Sequence, residues 1–282
     1  MRGLGQIGAL CEIARPDVAV ITSIGPVHLE LLGTVENVAL AKAEVVDALP
    51  LGGRAVVPYG VPVLEALMTR TDIEVLRFGR GGDIQLCQFE APLLVAGVAG
   101  TRVELKVPFS ARHQAENTLA ALGAYRALGL PLDLAGDGAG EIAFSRWRGE
   151  EHELPGGGLV INDAYNANPV SMDAALGHLS ERADDLDGRA VAVLGEMAEL
   201  GPHAPEYHRW VGQEARDWGI DVVIAVGGEL AAEYRADAQA PDAAAAVPLV
   251  RSLLKPGDVV LVKASRAAGL EVVAEALTGV PA

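Results

Sequence analysis

Short apolar runs rich in Val and Ile alternate along this chain with longer stretches whose apolar positions recur every three or four residues. The first pattern predicts β-strands and the second amphipathic helices. Their alternation predicts parallel strands joined by crossover helices, an α/β fold. The first strand is expected in DVAVITSI (17–24), followed by a helix over 34–49 and a short strand at RAVVP. Between 73 and 108 the character changes. IEVLRFG, DIQLCQF, PLLVAGV and TRVELKVP are strand-like pieces separated by Gly and Asp turns, which predicts antiparallel hairpins appended to the parallel layer. A helix follows over 112–128.

Residues 129–142, GLPLDLAGDGAGEI, are rich in Gly and Asp and read as a transition between two units, 1–142 and 143–282. Beyond it four strand-like runs recur: GLVIND (158–163), RAVAVLG (189–195), DVVIAVG (221–227) and DVVLVKAS (258–265). Helices are expected near 170–183, 205–218, 241–254 and 267–277, giving a doubly wound second domain.

Ligands of an open parallel sheet sit beyond the carboxyl ends of its strands. Four of the five readable parallel strands run directly into dense polar groups: GPVHLE (25–30), DAYNANP (163–169), LGEMAELG (194–201) and KASR (263–266). Each alone is ordinary turn chemistry; four together point to a site. Lys42 carries the most information. In VENVALAKAEVVDAL it shares a helical stripe with Val35, Val38, Val45 and Leu49, so an amine is aimed where core belongs. Either the stem is buried and the ammonium reaches water, or the amine is desolvated and its neutral form favoured. A neutral amine can react with carbon dioxide to give a carbamate, an oxygen anion of the kind magnesium prefers.

His28, just past the first strand, is either a structural histidine or a ligand beside such a metal. His113 and Asn117 lie one turn apart at the start of the 112–128 helix, where free N–H groups favour anions. Plain capping is the alternative. Arg146 and Arg148 flank Trp147 and could clasp phosphate or line a solvated linker. In DAYNANP, Asp163 ends a strand, Asn166 and Asn168 supply amides, and Tyr165 between them suits stacking on a flat ring. Glu196 and Glu199 sit in a loop rich in Gly, or at a solvated helix start.

Composition removes several function classes. The chain has 22 basic and 38 acidic residues, a formal charge of −16, which argues against sequence-independent binding of nucleic acid. No apolar run reaches the length of a membrane span, and MRGLGQIGALCEIARP, interrupted by Glu12, is not a signal peptide. Cys11 and Cys87 lie far apart with no metal-type spacing, and both are expected to be buried. A cytoplasmic monomer is the expectation.

At the stretches MRGLGQI, ITSIGPVHLELLG, AKAEVVDALP, ARHQAENTLAAL, INDAYNANPVSM, LGEMAELG with His208 downstream, and KASRAAGLEVV, the chain resembles the Mur ligase family. The pairing of DAYNANP with GEMAELG resembles the type that adds D-alanyl-D-alanine to UDP-N-acetylmuramoyl-tripeptide. The resemblance implies a truncated central P-loop ATPase-like domain over 1–142 and a Rossmann-like C-terminal domain over 143–282. It implies an ATP-dependent peptide ligase of peptidoglycan precursor synthesis, with ATP and Mg2+ as cofactors. Carried over by position, Lys42 matches a carbamylated lysine and His28 a magnesium-site residue. His113, Asn117, Arg148, Asp163, Tyr165, Asn166 and Asn168 match nucleotide contacts. Glu196, Lys263, Ser265 and Arg266 resemble residues near the acceptor substrate.

The departures are specific. No G-x-x-x-x-G-K-[ST] phosphate loop occurs in the 282 residues, and the glutamate that the family places before MRG is absent. Met1 is therefore expected to be an internal methionine serving as a start, or the edge of an incomplete sequence. Gln114 stands where asparagine is usual, and Ala264 where glycine is usual. A non-catalytic module, half of a split ligase, or a sister ligase of the folylpolyglutamate type are the competing readings. The first unit is expected to expose an unpaired sheet edge and apolar surface.

Overall fold

The structure, a computed structural model, describes Met1 and residues 3–279; Arg2 of the MRGLGQI stretch lies outside the described residues. The chain folds as two compact units, Met1–Ala143 and Phe144–Ala282.

The first unit contains α1 (Gln6–Ala14), β1 (Val18–Val20), α2 (Leu29–Leu32), α3 (Val35–Asp47), β2 (Arg54–Pro58), α4 (Pro62–Glu65) and β3 (Glu74–Phe78). It continues with β4 (Ile84–Glu90), β5 (Leu93–Val98), β6 (Thr101–Lys106), α5 (Arg112–Ala127) and α6 (Ala135–Ala139). The strands form one sheet in chain order, β1 to β6. Alternation along β2 decides what each face covers. Ala55 and Val57 join Ala19, Ile21, Val46 and Leu49 under α3, whereas Val56 joins Ala115, Leu119 and Leu122 of α5 on the opposite face. The approach of α5 is close because Gly123 has no side chain. A Cβ there would fall 2.5 Å from Val56 Cγ1. Thr34 starts α3 by accepting the amide of Asn37, and Glu44 of α3 accepts the amides of Gly5 and Gly8, which ties the start of α1 to α3.

Three expectations change here. DVAVITSI yields a strand of only three residues, because β2 offers a ladder only to Val18–Val20; Ile21 makes one further bond to Val56 and the rest turns into loop. IEVLRFG is no hairpin arm. The connection through α4 returns it beside β2 in parallel, so only β4, β5 and β6 form the antiparallel meander. Cys11 is buried as expected, but Cys87 is exposed. It sits where the β4–β5 register slips between Leu86 and Gln88, so strict alternation no longer decides its face. The Gly- and Asp-rich stretch also belongs to the first unit. Ala139 is buried in the core under α5, with Leu132 and Ala135 against it.

The second unit contains β7 (Glu150–Glu153), β8 (Leu159–Asp163), α7 (Pro169–Asp185), β9 (Ala190–Gly195), α8 (Ala204–Asp217), β10 (Val222–Val226) and α9 (Glu229–Ala232). It ends with β11 (Ala238–Ala240), α10 (Ala243–Leu253), β12 (Val259–Lys263) and α11 (Glu271–Thr278). The sheet order is β11-β10-β9-β12-β8-β7, parallel except for the β7 edge. Val160, Val191, Val193, Val260 and Val262 pack with Val250, Val273 and Leu277 under α10 and α11. The intervening residues face the other side, where α7 lies against β9 and β12. The charged β7 was not legible as a strand, because an edge needs only one partner and tolerates GEEHE.

Candidate functional site at the carboxyl edges of the two sheets

In the second unit β8, β12 and β9 are immediate neighbours, with Lys263 in register with both Asp163 and Leu194. Their three following loops, 163–169, 263–266 and 195–201, are thereby forced side by side. This is the sheet's switch point: the chain leaves β8 for β9 over α7 and returns later to insert β12 between them.

Lys263 is 2% exposed, and its ammonium donates to Asp163 Oδ2 at 2.5 Å and to the carbonyl of Asn166 at 2.9 Å. A buried charge needs such partners, so this amine holds the DAYNANP loop. Ser265 does the same for two loops at once. Its Oγ accepts the amide of Ala198 at 2.8 Å and donates to the carbonyl of Ala167 at 3.4 Å, while its own amide donates to Glu196. Asn168 caps α7 in a reciprocal box with Ser171, so its side chain is committed to the helix start. Glu196 accepts the amide of Gly228 at 2.8 Å, bracing the tight turn after β10. Ala264 is fully buried, and a Cβ on Gly195 of β9 would lie 2.6 Å from its own Cβ. The alanine in KASR is thus accommodated by a glycine opposite.

Two buried rings support the GEMAELG loop from beneath. His208, fully buried, accepts the amide of Met197 at Nε2 (3.0 Å) and donates from Nδ1 to the carbonyl of Ala204 (2.6 Å). Burial holds its pKa below the ordinary histidine value, against the opposing pull of the Ala204 carbonyl and of Glu196 and Glu233. Tyr234 lies 4.9 Å from that ring and donates to the carbonyl of Gly195 at 2.7 Å; burial pushes its hydroxyl pKa upward. Tyr234 carries no sequence signal, since it lies outside every polar cluster.

The polar groups left facing solvent are Arg146, Arg148, Arg266, Tyr165, Asn166 and Glu199. The Arg148 guanidinium lies 3.8 Å over the Tyr165 ring, so that face already carries a cation. Arg266 lies 4.2 Å over Trp147 and pairs with Glu271.

In the first unit, Lys42 reaches the loop after β1 and donates to the carbonyl of Ser23 at 2.7 Å. It is half-buried, and desolvation lowers its pKa. The same loop ends at His28, the residue preceding α2, in a left-handed conformation. Arg54, at the start of β2, donates to the carbonyl of Ala127 at the end of α5, and Gly123 lies over Val56. Hence α5 runs antiparallel to β2, and its first two turns, with half-buried His113 and exposed Asn117, overhang the strand's carboxyl end. Lys42 arrives at that edge from one face and α5 from the other. Among the described residues no group of three or more His, Cys, Asp or Glu side chains could cage a metal ion. As an ammonium donor Lys42 is no ligand; a carbamate on it would supply the oxygens magnesium takes.

Among the described residues, no helix is long and apolar enough to cross a membrane. Residues 1–125 match the Mur ligase middle domain and residues 147–266 the Mur ligase glutamate ligase domain. A UDP-N-acetylmuramoyl-tripeptide--D-alanyl-D-alanine ligase from Mycobacterium tuberculosis is 34% identical over 97% of this chain and 60% of its own length. A MurF ligase from Thermotoga maritima, solved with ADP, superposes with a TM-score of 0.86 at 28% identity, covering 99% of this chain and 65% of that one. A MurF from Acinetobacter baumannii gives 0.86 at 27% identity, covering 99% and 63%. The chain therefore spans about 60% of the length of the curated relative it matches. Two domain matches in the family's order, over a fold shared nearly end to end, place this chain in the Mur ligase family, of which it carries the middle and the C-terminal ligase domains.

Proposed function

We propose that this chain supplies the nucleotide- and acceptor-binding parts of an ATP-dependent ligase that joins D-alanyl-D-alanine to UDP-N-acetylmuramoyl-tripeptide, a step in building peptidoglycan precursor. The observation that carries the reading is the forced adjacency of the DAYNANP, GEMAELG and KASR loops on β8, β9 and β12. Relatives similar to this chain over nearly all of its length are named for this reaction.

The tripeptide carboxylate attacks the γ-phosphorus of ATP, forming an acyl phosphate and releasing ADP. The amine of D-alanyl-D-alanine then attacks the acyl carbon, phosphate leaves, and the ammonium proton is lost. Both steps press anions together, so catalysis depends on positioned positive charge. Arg148, fixed over Tyr165, presents a planar fork suited to phosphate. Asp163, Tyr165, Asn166 and Asn168 form the loop that lines the nucleotide, with Asn168 acting through the helix it caps. The first turn of α5, at His113, offers amide hydrogens to an anion, and the Asn117 side chain lies one turn further on the same face. Glu196, Lys263, Ser265 and Arg266 set the acceptor side, Lys263 and Ser265 by holding loops. Lys42, as a carbamate, and His28 would hold magnesium, which would supply positive charge against the triphosphate.

The experiment joins these 282 residues to the phosphate-loop segment of a relative and measures ligated product with competing acceptors. Preference for D-alanyl-D-alanine is expected; preference for a single amino acid, as in a folylpolyglutamate-type ligase, contradicts the assignment. Because no phosphate loop occurs in the 282 residues, the purified chain alone is expected neither to hydrolyse nor to ligate with ATP.

A further inference from the structure

Trp147 sits at the crossing of three segments of the second unit. Its indole has Arg266, from the loop after β12, at 4.2 Å on the ring and its neighbour Arg146 at 5.2 Å. Its backbone carbonyl accepts the amide of Tyr165, from the loop after β8, at 3.1 Å. Its own amide donates to Glu150 Oε2 at 2.9 Å, fastening the start of the connector to β7. The residue is half-buried and adopts φ 61°, a left-handed backbone that is unfavourable for so bulky a side chain. Such a conformation persists only where its surroundings over-determine it. Here a ring stack and two backbone hydrogen bonds do so.

The consequence concerns Arg148. The left-handed turn at Trp147 sends the next residue back over the Tyr165 ring, and the Trp147–Tyr165 backbone bond holds that ring's loop at the right height. Three guanidinium groups, at Arg146, Arg148 and Arg266, are thus gathered in a chain of net charge −16 by two aromatic faces that each attract a cation.

We propose that Trp147 is a positioning residue that sets Arg148 and Tyr165 against an anionic ligand by locking the connector to the loops after β8 and β12. The identity of that ligand rests on the nucleotide reading above; the locking does not. Hydrogen exchange of the 282-residue chain tests it, read in a peptide covering 163–168. Trp147→Ala is expected to accelerate exchange there by about tenfold while β9 and β12 stay protected. Trp147→Phe, which keeps an aromatic face, is expected to restore protection. Unchanged exchange in Trp147→Ala, or equal acceleration in Trp147→Phe, would overturn the proposal.

If Trp147→Ala does not fold, Arg266→Gln removes one side of the stack from the surface. It is expected to loosen 146–150 and 163–168 several-fold, whereas Glu271→Gln, which removes only the partner of Arg266, leaves them protected. Equal exchange in Arg266→Gln and wild type would sink the idea. Magnesium–ADP added to the wild-type chain is the separate arm. Absence of binding counts against the nucleotide reading, while the exchange result still decides the role of Trp147.

Discussion

Lys263 shows how far a side chain's fate depends on its neighbours. Read along the chain, KASR offers two cations and a hydroxyl to a ligand. In the fold, the β8–β12 register brings Asp163 opposite Lys263, and the ammonium is consumed inside the protein. Lys263→Met should destabilise the second unit by about 3 kcal/mol, because it strands the Asp163 carboxylate. Adding Asp163→Asn should recover most of that loss. Urea unfolding followed by tryptophan fluorescence measures both, since Trp147, Trp210 and Trp218 all lie in this unit. A double variant no more stable than Lys263→Met would contradict the pairing.

His208 makes a pH prediction. Its folded pKa is depressed, so below the unfolded value of about 6.5 the unfolded chain binds the extra proton more readily. The histidine's contribution is complete above that pH and is lost as pH falls below it. His208→Gln should flatten the fall in stability of the second unit between pH 7 and 5; an unchanged slope would contradict the neutral, hydrogen-bonded ring. That the polar loops gather at one sheet edge was legible because polar clusters follow strand ends in this fold class. Their division of labour was not. Whether Asn168 caps a helix or meets a ligand depends on a bond to Ser171 that shares its sequence pattern with any polar loop.

At the scale of elements, the period-two and period-four patterns located the buried strands and long helices of the second unit, where burial on both faces leaves continuous Val and Ile. They misplaced β3, because orientation is set by the connection through α4 and not by the strand's own residues. Cys87, expected to be buried as free cysteines usually are, is exposed beside a register slip that alters alternation locally. The contact between β9 and β12 gives a sharper test of element packing. Gly195→Ala should cost on the order of 2 kcal/mol through its clash with Ala264, and Ala264→Gly in the same chain should relieve it. Additive losses in thermal melts would show that the two strands do not meet as described.

At the scale of the whole chain, the two units differ in how well each closes its own core. The second wraps its sheet with α7 and α8 on one side and α10 and α11 on the other. The first leaves Ile13 82% and Leu51 84% exposed, and large uncovered apolar side chains invite association. Residues 144–282 expressed alone should melt cooperatively and stay monomeric in gel filtration, whereas 1–143 should aggregate. The reverse outcome would contradict the division.

The loops after β8, β9 and β12 lie side by side at one edge of the second sheet, the edge proposed to face the nucleotide. Photolabelling the 282-residue chain with magnesium–8-azido-ADP, followed by mass spectrometry of the peptides, tests that directly. Label is expected in the peptide carrying Tyr165 or in the one carrying Trp147 and Arg148, and it should fade under excess ADP. Label confined to the β4–β6 meander, or undiminished by ADP, would contradict it.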